Sequence, residues 1–184
     1  MKLVVPALDY LAGYKDALQR GWSPDNVRLE VAAREELAKI AEDPVAFVAS
    51  LDDPEAKAGP VTLGDGSKVP RLPGYRRWMW DGEFCGSIGF RWQKGTSALP
   101  PYVLGHIGYA VVPWKRRLGY ATRALALLLD DARREGLDHV ALTTDPDNEP
   151  SQRVILANGG TLHERFNAGP VYGDTDHLLF HIRL

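Results

Sequence analysis

The residues best suited to chemistry lie in one short stretch, Val111-Val112-Pro113-Trp114-Lys115-Arg116-Arg117-Leu118-Gly119-Tyr120-Ala121-Thr122. An apolar run ends at Pro113, a basic turn follows, and a helix opens at small residues. The first N–H groups of a helix have no intrahelical partner, and its dipole places positive potential at the same end. Such a terminus, next to Lys115, Arg116 and Arg117, is a ready-made anion site, and a pyrophosphate suits it. The other phosphate loops fit poorly. A P-loop needs G-x-x-x-x-G-K-[ST], which is absent. Of the three glycines of a G-x-G-x-x-G dinucleotide fingerprint, this stretch holds Gly119 alone.

The elements that must position this loop follow from pattern. Gly105–Val112 predicts a strand. Gly119–Glu135 predicts a helix burying Ala121, Ala124, Leu125, Leu128 and Ala132, closed by Gly136. Asp138–Thr144 predicts a second strand, so these three form a βαβ unit with a parallel strand pair. Upstream, Tyr75–Trp80 and Glu83–Trp92 flank Asp81-Gly82 as a hairpin. Lys2–Ala7 reads as a short strand. Leu8–Arg20, Val31–Glu42 and Val45–Leu51 read as helices. The Pro-, Gly- and Asp-rich stretch 52–74 reads as a loop over the domain, with room for a small hairpin. Pro150–Asn158 predicts a helix stopped by Gly159-Gly160, and Thr161–Phe166 and His177–Leu184 two last strands. The whole predicts a mixed α/β fold of α+β character in one domain, residues 1–184.

Composition narrows the functional classes. The 184 residues are 45 % hydrophobic and 25 % charged, an ordinary globular balance. A net charge of −2 and the lack of a basic stripe argue against a nucleic-acid partner. No uncharged apolar run approaches the roughly 18–20 residues of a membrane span. A cytoplasmic protein without a membrane partner is the expectation. The lone Cys85 excludes an intramolecular disulfide and a CxxC metal site.

Arg116-x-x-Gly119-x-Ala121, preceded by a strand and followed by a long apolar helix, resembles the Q/R-x-x-G-x-G/A signature of the GNAT superfamily of acetyl-CoA-dependent N-acetyltransferases. The next strand, then Asn148-x-x-Ser151 opening a helix that ends at Gly159-Gly160, extends the likeness over roughly Trp78–Phe166. The strand Gly105-His106-Ile107-Gly108-Tyr109 and the turn Leu142-Thr143-Thr144-Asp145-Pro146-Asp147-Asn148 are similar to a subgroup of uncharacterised acetyltransferases. The resemblance implies a mostly antiparallel central sheet with helices on its faces, in which strand 105–112 splays from strand 138–144. It implies acetyl-CoA as co-substrate, no metal, and a small-molecule or peptide amine as acceptor. Pantetheine would pair with the backbone near Ala110 and Val111. The diphosphate would lie on the backbone of Gly119, Tyr120, Ala121 and Thr122, with Arg116 and Arg117 beside it. Asn148 would touch the pantetheine arm and Ser151 would lie near the sulphur. Asn148 is equally suited to cap its helix, and Ser151 to start it. Relatives of this kind are often homodimers, although no segment here marks an interface.

The catalyst is less legible. Many family members carry a tyrosine four residues before the closing glycine, and Ile155 stands there. His106 and Tyr109 are the substitutes, His106 as a proton relay near neutral pH. Each also has an ordinary reading, as a satisfied histidine and a core tyrosine. Tyr172 and Asp174 lie where acceptors enter in this family. Trp22, Trp78, Trp80 and Trp92 suit an acceptor wall or a core. Cys85, inside an apolar run, reads as a buried thiol rather than an acyl carrier. The alternatives to N-acetyl transfer are a different acyl-CoA donor, or a CoA-binding regulatory module that has lost catalysis.

Overall fold

The computed structural model describes residues 1–63, 66–169 and 174–184. The chain runs β1 (Lys2–Val4), α1 (Leu8–Gln19), α2 (Leu29–Glu42), α3 (Pro44–Ser50), β2 (Asp52–Asp53), β3 (Val61–Thr62), β4 (Lys68–Val69), β5 (Gly74–Trp80), β6 (Phe84–Arg91), β7 (Ile107–Val111), α4 (Tyr120–Arg134), β8 (His139–Thr144), α5 (Glu149–Leu156), β9 (Thr161–Asn167) and β10 (Asp176–Arg183). A single 3-10 turn, Pro113–Lys115, separates β7 from the loop before α4. No helix among the described residues is long and apolar enough to cross a membrane.

Two sheets carry the fold. One has the order β1-β5-β6-β7, with β2 added to β5, and the other has the order β8-β10-β9. The short β3–β4 hairpin fills the room left in the loop after α3. β6 is buried almost throughout because both its faces are covered. On one face Ile88 and Phe90 join Met79 against the α4 leucines. On the other, Trp78 stacks on Tyr14 of α1 at 4.6 Å, with Phe84 edge-on to both. Trp22, Trp78 and Trp92 are thereby core residues rather than the walls of a pocket.

The parallel pair expected of strands 105–112 and 138–144 is not a hydrogen-bonded one. Every ladder among the described residues is antiparallel, and none joins β7 to β8. The two sheets are clasped at one end instead. The His106 N–H donates to the Ala141 carbonyl at 2.8 Å, and the Ala141 N–H donates to His106 Nδ1 at 2.9 Å. The Thr143 hydroxyl donates to the Leu104 carbonyl. A Cβ at Gly105 would lie 3.1 Å from the Ala141 carbonyl, so this close approach favours glycine. Beyond the clasp, β7 and β8 each keep an edge without a ladder partner among the described residues. That is the splay, and it explains why β7 begins at Ile107 rather than at Gly105.

α4 is held by packing rather than by capping. Ala124, Leu125, Leu128, Leu129 and Ala132 form one buried stripe. No side chain among the described residues caps its N-terminus, where Gly119 sits at φ 72. A missing cap costs about 1 kcal/mol. Each buried leucine contributes about 2 kcal/mol, so burial prevails and the N–H groups stay bare.

Candidate active site

The bare end of α4 meets the open edge of β7. The Arg91 N–H donates to the His106 carbonyl and the Val112 N–H to the Cys85 carbonyl, in register with the β6–β7 ladder. Backbone direction alternates along an antiparallel strand. Gly108 and Ala110 therefore turn their N–H and C=O toward β6, while Ile107, Tyr109 and Val111 turn theirs outward. Of the pair Ala110 and Val111 expected at the cofactor, Val111 faces the opening and Ala110 is engaged with Ser87. Two outward carbonyls have neighbours: Asn26 Nδ2 donates to Tyr109 at 3.4 Å, and Arg116 Nε to Val111 at 3.4 Å. Gly86, at φ 146, permits the close approach of β6 to β7, because a Cβ there would collide with the Ala110 carbonyl.

The loop itself is tightly conditioned. Arg117 has φ 63, a costly conformation for a side chain other than glycine, and Gly119 follows at φ 72. Arg116 and Arg117 are exposed, and Ala121 and Thr122 are half-buried. A Cβ at Gly119 would meet nothing within 4 Å, so the space before the helix is open. Lys115 is withdrawn from the anion set expected of it. Its Nζ lies 3.1 Å from Asp81 and 3.2 Å from Glu83. Asp81 also accepts the Tyr120 hydroxyl at 2.6 Å. That bond, with help from Lys115, holds the Asp81 carboxyl far below the usual carboxylate range. Asp81 thus ties the β5–β6 turn to the first residue of α4. Its local pattern marks only a turn, and nothing in it signals the longer reach.

On the far side of the opening, Asn148 Oδ1 accepts the Ser151 N–H at 3.2 Å and so caps α5. The Tyr109 hydroxyl lies 3.0 Å from Ser151 Oγ and 3.3 Å from its carbonyl. β7 and α5 are thereby bridged across the splay. Burial pushes the Tyr109 hydroxyl up to about 12, so it keeps its proton at neutral pH. Ile155 is 1 % exposed and packs under Gly160, whose Cβ would collide with it. Its position is turned into the core.

His106 is displaced from the role expected of it. The ring is fully buried, its Nδ1 is committed to Ala141, and burial lowers its pKa to about 4. It stays neutral near pH 7 and has no route to the opening through Nδ1, which makes it a clasp rather than a relay. Cys85 is buried as expected, and desolvation pushes its thiol up to about 12, which removes thiolate chemistry at neutral pH. Asp174 sits in a turn at φ 53, its N–H on the Gly169 carbonyl. Tyr172 lies outside the described residues.

The splayed pair of sheets and the arginine-flanked start of α4 meet at one opening, which is the candidate site. The family model for the acetyltransferase (GNAT) domain matches residues 35–161, more than half of the chain. The chain belongs to the GNAT acetyltransferase family. No curated protein matches it at the sequence level. Among solved structures it is similar to the microcin C7 self-immunity acetyltransferase MccE in complex with acetyl-CoA and AMP, with TM-score 0.62 and 13 % identity, over 99 % of this chain and 91 % of that one. It is similar to RimL, a ribosomal L7/L12 alpha-N-protein acetyltransferase in complex with coenzyme A, with TM-score 0.62 and 15 % identity over 99 % and 93 %. It is also similar to Mycobacterium smegmatis RimJ in complex with CoA-disulfide, with TM-score 0.61 and 20 % identity over 98 % and 85 %.

Proposed function

We propose that the protein transfers the acetyl group of acetyl-CoA directly to a primary amine in a ternary complex. The observation that carries this reading is the continuity of the outward edge of β7 with the bare N-terminus of α4. Backbone N–H groups of Gly119, Tyr120, Ala121 and Thr122 suit the diphosphate, with Arg116 and Arg117 adding charge. Val111 and Tyr109 offer pantetheine a strand edge to pair with. Because the diphosphate end lies beyond Val111 and the clasp closes at His106, the thioester falls near Tyr109. Asn148 borders the same opening from α5.

The amine nitrogen attacks the thioester carbon. The tetrahedral adduct then collapses, breaking the C–S bond. The CoA thiolate takes a proton and the new amide nitrogen loses one, giving N-acetylamine and CoA–SH. Tyr109, protonated at neutral pH and in contact with Ser151, is the donor best placed for the thiolate. This pair supplies what Ile155 does not, and it weakens the reading of the chain as an inactive module.

The test couples binding to turnover. Calorimetry with acetyl-CoA is expected to show one site that Gly119→Glu removes. A screen of amines read by thiol release is expected to show turnover for at least one class. Acetyl-CoA bound without thiol release across the panel would make the protein a CoA-binding module. Unchanged affinity in Gly119→Glu would overturn the donor site.

A further inference from the structure

Acetyl transfer leaves one proton without a destination. The new amide nitrogen must lose it as the C–S bond breaks, and the Tyr109 hydroxyl, already protonated at neutral pH, cannot take it. The faces of the two sheets mark where a base would stand. Ile107, Tyr109 and Val111 of β7 pack against the cluster that holds the α4 leucines, and so do Leu178, Phe180 and Ile182 of β10. Side chains alternate along a strand. Ala110 therefore turns to the α1 side, and His177 turns the same way, one strand behind the β8 edge of the opening. The donor for the thiolate lies on one face, and an amine can reach the carbonyl carbon from the other. A cavity of about 400 Å³ also lies under the β3–β4 hairpin, where Arg71, Arg76 and Arg91 converge, but no residue of β7 lines it.

His177 is prepared for that proton. Leu178 pairs with Thr144 at the end of β8, which sets His177 beside Asp145. His177 Nδ1 lies 3.0 Å from Asp145 Oδ1. A carboxylate at Nδ1 holds a proton there and leaves the Nε2 lone pair to accept another. Among the described residues the one polar neighbour of Nε2 is the Thr175 hydroxyl, at 3.4 Å. The imidazole is 12 % exposed, so it is held in place without being sealed off. Asp145 is tied to the donor side as well. Its carbonyl accepts the Asn148 N–H at 3.1 Å and the Gln152 side-chain amide at 3.4 Å, and Ser151 between them meets the Tyr109 hydroxyl. One turn thus positions both groups, the phenol through Ser151 and the imidazole through Asp145. Phe166 of β9 flanks the imidazole, with ring centroids 6.0 Å apart. By strand alternation, the charged and titratable groups on the same face are Asp145, Glu164, and farther along His139, His163, His181 and Arg183. Asp174 stands in the loop before β10, and Asp176 is bonded to Arg165 on the other face at 2.9 Å.

We infer that His177 is the general base of acetyl transfer, with Asp145 as its positioning residue. Nε2 takes up, through one bridging water, the proton that the amide nitrogen sheds when the C–S bond breaks. Tyr109 gives the thiolate its proton from the other face, and both side chains return to their resting states by exchange with solvent. β8 alone separates β10 from the opening, a spacing of about 4.8 Å that one water spans. This rests on the acetyl-transfer reading above and assigns the proton that it leaves open.

The test is the pH dependence of kcat, read by thiol release at saturating acetyl-CoA and amine, with leucinamide, 2-phenylethylamine, spermidine and the tripeptide Ala-Gly-Ala as probes. The wild type is expected to lose kcat on the acid side with a limb that His177→Gln lacks. At pH 7 that variant should be slower by about 100-fold, with the acetyl-CoA KM in place. Free imidazole should restore turnover to His177→Gly by at least ~tenfold, which a structural role would not permit. Asp145→Asn, which keeps the shape but not the charge, should move the same limb, and it carries the test if the His177 variants do not fold. A wild-type profile without the limb, or a limb unmoved in His177→Gln or in Asp145→Asn, would overturn the base while leaving acetyl transfer standing. Acetyl-CoA bound by the wild type with no thiol release from any probe would overturn the transfer reading, and the base with it.

Discussion

The mouth of α4 and the cavity under the β3–β4 hairpin both carry arginines, yet they are built differently. The first is made of backbone. Its N–H groups are oriented by a helix, its strand edge by the sheet, and its φ values by Gly119 and Arg117. The second is made of side chains that reach in from β5, β6 and the loop before β5. A backbone site tolerates change in most side chains but not in the few positions that set its geometry. A side-chain site is tuned one residue at a time. The difference teaches that the first is set by a few backbone positions and the second by each side chain in turn.

The sharpest way to break this comparison is Gly119→Glu. It adds a carboxylate to the open space before α4 and strains a left-handed residue, so acetyl-CoA affinity should fall by at least ~100-fold. Retained folding by circular dichroism would assign the loss to the site. Next in size is Tyr109→Phe. It removes the protonated hydroxyl that meets Ser151, and kcat should drop by about 100-fold with little change in acetyl-CoA KM. A loss confined to KM would return Tyr109 to the core. Asp81→Asn sharpens the donor side further. It weakens the hold on Lys115 and Tyr120, so the acetyl-CoA KM should rise by about three- to tenfold at constant kcat. An unchanged KM would leave Asp81 as a turn residue.

The smallest expected effect concerns the clasp. The folded pKa of His106, about 4, lies below the ordinary histidine value near 6.5. Above pH 6.5 the ring is neutral in both states, and its contribution to stability is complete. As pH falls from 6.5 toward 4, the unfolded chain takes up a proton that the folded chain refuses, and about 3 kcal/mol is lost. Urea midpoints at pH 7 and pH 5 should therefore differ in the wild type and differ less in His106→Asn, which keeps an acceptor for Ala141. The pH–rate profile should show no limb near neutrality that this substitution removes.

Legibility followed the same division. Arg116, Gly119 and Ala121 mark the anion-suited loop because backbone geometry imposes residue types at fixed spacing. Helix α4 was readable from its apolar stripe, and the β5–β6 hairpin from Asp81-Gly82. The long-range partners were not readable. The reach of Asp81 to Tyr120 spans 39 residues, and that of Tyr109 to Ser151 spans 42. Neither leaves a local pattern. His106 looked like a relay because its type titrates near neutrality, and only its burial against Ala141 reverses that. Arg71, Arg76 and Arg91 converge because β2 and the hairpin fold back over β5 and β6, which no spacing encodes.

A crystal structure of the protein soaked with acetyl-CoA tests the central claim most directly. The account predicts diphosphate oxygens within about 3 Å of the Gly119–Thr122 amides. It predicts pantetheine paired with the outward backbone of Val111, and the thioester sulphur beside the Tyr109 hydroxyl. A cofactor whose diphosphate lies away from the α4 N-terminus, or whose pantetheine leaves the edge of β7 unpaired, would contradict it.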